Sequence, residues 1–145
     1  MSVEKLELYI TTADIDSLEA LLKQDPELAK SRTSQHISPL LLSCYYKKSE
    51  ITDIILKYLD QINLFEAAAA GKFVEVTHLV YTNPEAINFY GADGFTPLGL
   101  ACCFGHYEIA RYLVLKGADV NMPSRREDNG IVIVKISLHF EFIFL

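Results

Sequence analysis

Cys102, Cys103 and His106 stand close together and could be drawn as a thiol–imidazole pair, with a nucleophile and the base that activates it. On that drawing Cys103 and His106 would define a small thiol-dependent enzyme, the most distant of the readings the residues allow. The remaining chemistry-bearing residues do not converge. His36, His78, His106 and His139 lie in four different segments without paired ligand spacing, so no metal site is expected. No glycine-rich phosphate loop follows a strand, and no Gly-x-Ser-x-Gly elbow occurs, so neither a nucleotide cofactor nor a hydrolase nucleophile is indicated. Acidic pairs such as Asp14 and Asp16 suit a solvated helix start near a positive helix dipole. The chain is expected to be no enzyme and to need no cofactor.

The elements around the thiols are more informative. Residues 93 to 122 read as a turn, a short helix, a second turn and a second helix. Asp93-Gly94 is a turn dipeptide that tolerates positive φ. Thr96 can cap the helix that follows, and Pro97 stands at its first position, where no backbone donor is needed. Gly105 can end that helix in the left-handed region, and Gly117 can end the next. Ile109, Tyr112 and Leu113 share a face of the second helix. Such a pair cannot bury its own apolar face and must stack on copies of itself.

Copies are present. The step from Leu98 to Gly105 recurs from Leu64 to Gly71, from Leu40 to Lys47 and from Leu6 to Ala13. A paired apolar position follows each: Leu113-Val114, Leu79-Val80, Ile55-Leu56 and Leu21-Leu22. The four leucines are separated by 34, 24 and 34 residues. Asp25-Pro26-Glu27 and Asn83-Pro84-Glu85 follow the second helix of the first and third copies alike, and proline there ends a helix or opens a short new turn. The interval of 24 leaves no room for an extended connection. A tight turn is expected there, with Asp60 capping the next helix, and extended fingers only around residues 31–37 and 88–95.

The run from residue 93 to 122 closely resembles an ankyrin repeat, in Gly94-x-Thr96-Pro97-Leu98, Ala101, Gly105-His106, Leu113-Val114 and Gly117-Ala118-Asp119. The family period of about 33 is close to the two long intervals. The resemblance implies an all-α solenoid of stacked helix-turn-helix pairs over residues 1–123, with repeats at about 4–33, 34–59, 60–91 and 92–123. It also implies that His106 is structural, bonding loop backbone, and that Cys102 fills a buried small-residue position. Gly99 departs from the family, which has histidine there. That departure is expected to cost a hydrogen bond to Thr96 and its neighbours.

Half of the 145 residues are apolar, enough for one sizeable core. A formal net charge of −6 argues against a nucleic-acid binder, which needs a basic stripe. Three cysteines, two of them adjacent, make no disulfide framework, and a reducing, cytoplasmic compartment is expected. No signal peptide is apparent, and no membrane association is expected.

Residues 124–145 depart from the pattern. A polar linker, 124–130, precedes a β-prone tail in which Val132, Val134, Ile136, Leu138, Phe140, Phe142 and Phe144 share one face. Three readings stand open for this tail. It is foreign to the array, through a shifted frame, a missed splice or a cloning junction; or residues 131–145 form an edge strand that self-associates; or they cap the last repeat, irregularly or as a helix.

What remains is recognition. The resemblance implies a protein-interaction module, an adaptor, scaffold or inhibitor that binds an unidentified protein or peptide on a concave face of fingers and first helices. The residues it places there are Ile37, Tyr45, Tyr46, Ala69, Ala70, Asp93, Phe95, Cys103 and Phe104, with Thr11, Thr12, Ser34, Gln35 and Ala92 beside them. Large aromatics around a small alanine floor suit an apolar anchor. The alternative is that some of them pack between repeats. The alternative function is that of a regulatory ankyrin fragment of a larger enzyme or membrane protein.

Overall fold

The computed structural model describes residues 2–123. The expectations for 124–145 therefore lie outside the described residues. Within them the chain forms four helix pairs: α1 (Ser2–Thr12) with α2 (Ile15–Gln24), α3 (Pro39–Tyr45) with α4 (Ser49–Leu56), α5 (Leu64–Ala70) with α6 (Phe73–Thr82), and α7 (Pro97–Cys103) with α8 (Tyr107–Leu115). The architecture is all-α. Two compact units divide between Gln61 and Ile62. In the first, α1 packs on α3; in the second, α5 packs on α7 and α6 on α8.

The leucine ruler corresponds to one repeated turn. Seven residues after Leu6, Leu40, Leu64 and Leu98 stand Ala13, Lys47, Gly71 and Gly105, with φ of 57°, 55°, 75° and 76°. All four are left-handed. One residue later the backbone N–H bonds back to the carbonyl three residues after the leucine. The four bonds are Asp14 to Tyr9 at 2.9 Å, Lys48 to Ser43 at 3.1 Å, Lys72 to Ala67 at 2.9 Å and His106 to Ala101 at 2.8 Å. This reversal brings each second helix back along its first.

The leucines themselves are buried, together with Ile10, Leu18, Leu22, Ile51 and Ile55 in the first unit and Val76, Leu100 and Leu113 in the second. Each such side chain contributes about 2 kcal/mol when withdrawn from water. Ala67, Ala68, Ala101 and Ala110 are fully enclosed in the second unit, where small side chains let the helices approach closely.

Helix starts follow from the capping residues. Thr96 Oγ1 accepts from the Gly99 N–H at 3.0 Å, and Ser38 Oγ from the Leu41 N–H at 3.2 Å, each with proline next in the chain. Asp14 caps α2 through Ser17 at 3.2 Å. Asp60 does not cap α5, contrary to expectation. Asn63 does, accepting from the Glu66 N–H at 2.8 Å while Glu66 accepts from the Asn63 N–H at 3.1 Å. That reciprocal pair satisfies two orphan donors at once. Asp60 instead stands 3.5 Å from Lys30, as an exposed ion pair of little energetic weight.

The two expected fingers are present and close in the same way. Thr33 N–H donates to the Ile37 carbonyl at 2.9 Å, and Gly91 N–H to that of Phe95 at 2.9 Å. His36 and Gly94 supply the left-handed residue of each turn, with φ of 62° and 81°. Between α4 and α5 the chain descends through short bonds from Lys57, Tyr58 and Leu59 back to Ile54, Ile55 and Leu56. The two Asx-Pro-Glu segments match closely. Asp25 and Asn83 have φ and ψ of −140°, 83° and −144°, 76°, and each opens a 3-10 helix, Pro26–Lys30 and Pro84–Asn88.

Candidate functional site

The thiols and the imidazole lie where α7 ends and turns into α8. Cys102 faces the interior, and burial, with neighbouring Cys103 adding to it, pushes its thiol up to about 11. A thiol held so high is a poor nucleophile near neutrality. Cys103 is exposed. His106 is engaged elsewhere. Its Nε2 lies 2.9 Å from the Ala69 carbonyl oxygen, which can only accept, so Nε2–H donates. The ring fills the space beside Gly71, where a Cβ would come within 2.7 Å of the imidazole Cε1. The histidine therefore joins the turn after α7 to the turn after α5. That is the structural role the resemblance implied.

Three of the nine residues expected to contact a partner are instead interior. Ile37 is 3% exposed, Ala69 2% and Phe95 7%. Ile37 and Phe95 close their fingers from beneath. The Phe95 ring lies over Gly99, where an added Cβ would touch Phe95 Cδ1 at 3.4 Å. The inward-facing phenylalanine thus packs against the first turn of α7. Ala69 is enclosed by the turn that His106 bonds.

The other six reach the surface. Tyr46 is exposed, Tyr45 half-buried; Cys103 is exposed, Phe104 half-buried; Ala70 and Asp93 are half-buried. Tyr46 and Phe104 occupy equivalent places, six residues after Leu40 and Leu98. Each closes its first helix with an N–H bond of 3.1 Å, to Leu42 and Leu100. Asp93 Oδ1 accepts from the Phe95 N–H at 3.1 Å, so part of its capacity is spent on the finger.

Within the first unit, Tyr46 borders a cleft of about 290 Å³ between α1 and the finger. Thr11, Ser34 and Gln35 line it together with Glu4, Glu7 and Leu8, which the sequence alone did not single out. Their signal was the helical series 4, 7, 8 and 11, which puts them on one face of α1. Glu7 ties this wall to the finger: one carboxylate oxygen accepts from the Ser34 N–H and the other from the Ser34 hydroxyl at 3.0 Å.

Among the described residues no cluster of three or more His, Cys, Asp or Glu could hold a metal ion. No described helix is long and apolar enough to cross a membrane.

A family model described as ankyrin repeats, in three copies, matches residues 9–124. The chain is 29% identical over 119 residues to alpha-latrocrustotoxin-Lt1a of Latrodectus tredecimguttatus, covering 77% of this chain and 8% of the toxin. It is 34% identical over 104 residues to the serine/threonine-protein kinase TNNI3K of Mus musculus, covering 61% of this chain and 12% of the kinase. It is 31% identical over 116 residues to an ankyrin repeat and KH domain-containing protein of Caenorhabditis briggsae, covering 75% of this chain and 4% of that protein. The chain thus spans a small part of the length of each of these relatives.

Proposed function

The chain belongs to the ankyrin-repeat family, and on that premise we propose that it binds a protein or peptide partner through the side of its first helices and fingers, as an adaptor, scaffold or inhibitor. Ankyrin repeats indicate a protein-interaction module. The observation that carries the finer reading is the pair of equivalent aromatics, Tyr46 and Phe104, at the ends of α3 and α7. An aromatic ring at a surface brings large apolar area at little entropic cost, and such residues dominate interface energies. No catalytic step is assigned: His106, the imidazole drawn beside the thiols in the sequence, donates to the Ala69 carbonyl. Two buried thiols, Cys44 and Cys102, suit a reducing, cytoplasmic setting.

A second reading has its own support. The relatives are much longer than the matched stretch, so the array also fits a regulatory segment of a larger protein.

The experiment is capture of partners from the native cell extract by the unmodified chain and by a Tyr46→Ala, Phe104→Ala double variant. Loss of one or more partners from the variant is expected. Equal recovery of every partner by both removes this surface.

A further inference from the structure

We propose, resting on that reading of the first-helix and finger side, that the cleft of the first unit receives a peptide segment in which an arginine or lysine stands beside an apolar residue. Among the described residues two carboxylates, Glu4 and Glu7, line the cleft and no lysine, arginine or histidine does. Glu7 is held in place by its two bonds to Ser34. An ionised carboxylate has about four acceptor sites, so two remain for an incoming cation. A carboxylate already fixed loses little side-chain freedom when that cation arrives. The rim supplies the apolar half of the match. Leu8 is 55% exposed and Tyr46 44%, so both can present apolar area to a segment lying in the cleft. A guanidinium can also stack on a tyrosine face while its fork meets a carboxylate.

Charge sets the choice of occupant. An acidic segment would meet like charge in the cleft. A purely apolar one would strip water from Glu7 without replacing it. A second copy of this chain carries a net charge of −6 and is a poor electrostatic match.

Panning a phage-displayed random dodecapeptide library on the full chain tests this, alongside Glu4→Lys, Leu8→Ser and Phe104→Ala variants first shown by circular dichroism to be folded. The selected peptides are expected to carry arginine or lysine next to an aliphatic or aromatic residue. A synthetic copy should bind about tenfold more weakly to Glu4→Lys, where attraction becomes repulsion. Replacing its arginine by citrulline should weaken it similarly, and added salt should weaken the parent peptide. Selection of neutral or acidic peptides that are weakened by Leu8→Ser would overturn the cationic preference and leave the interaction reading standing. Peptides sensitive to Phe104→Ala but indifferent to Glu4→Lys would put recognition in the other unit and also overturn the proposal. Retention of no peptide at all would count against both readings.

Discussion

His106 Nε2–H meets the carbonyl oxygen of Ala69 at 2.9 Å, across 37 residues of chain. The same ring occupies the space a side chain on Gly71 would need. His106→Ala should therefore destabilise the chain by about 1–2 kcal/mol, leaving a carbonyl short of its partner. Gly71→Ala should cost more, about 2–3 kcal/mol, because left-handed backbone strain adds to the collision. In a His106→Ala background the collision vanishes and only the backbone cost of about 1 kcal/mol should remain. Urea denaturation of the four proteins checks this, and equal Gly71→Ala costs in both backgrounds would refute the contact.

Ala13 and Lys47 carry the left-handed turn without being glycine. Ala13→Gly and Lys47→Gly should each stabilise the chain, by up to about 1 kcal/mol, since relief of strain exceeds the extra entropy lost by glycine. Thermal melts read the outcome as a rise in Tm. A fall would mean that these residues make contacts worth more than the strain.

The start of α5 separates two acceptors only three residues apart. Asn63→Ala should cost about 1 kcal/mol. Asp60→Ala should change stability by less than about 0.5 kcal/mol, because its ion pair is exposed. The opposite ranking in chemical denaturation would restore Asp60 as the cap.

Cys102 and Cys103 should react very differently. With iodoacetamide near pH 8, Cys103 is expected to label first, and Cys102 only as the chain opens. Burial also links this thiol to stability. Its folded value of about 11 lies above the ordinary 9.0, so the unfolded chain releases the proton first. The contribution is complete below pH 9 and is lost as pH rises toward 11. A Cys102→Ala variant should lose that part of the alkaline decline, while equal decline in both proteins would contradict it.

The fold was largely legible because its turns repeat. The seven-residue step from each leucine marked four equivalent positions; the left-handed backbone expected at Gly105 is shared by the other three, including Ala13 and Lys47, whose residue types gave no hint. The error at Asp60 arose because both Asp60 and Asn63 are good caps, and only the Asn63–Glu66 spacing distinguishes them. The surface was less legible. In the first finger Ser34, Gln35 and His36 are exposed together while Thr33 and Ile37 at its two ends are buried, a pattern that residue type does not announce. Phe95 is interior with its ring against Gly99, a neighbourhood that shows only once the finger and α7 are placed together. Glu4, Glu7 and Leu8 escaped notice because their partners across the cleft, Ser34 and Gln35, are distant in sequence.

Hydrogen-exchange mass spectrometry of the full chain, with and without a captured partner, tests the binding side most directly. The account predicts added protection in backbone segments at the ends of α3 and α7 and in the fingers over 33–37 and 91–95, with α6 and α8 unchanged. Protection confined to α6 and α8, with the ends of α3 and α7 exchanging as before, would contradict it.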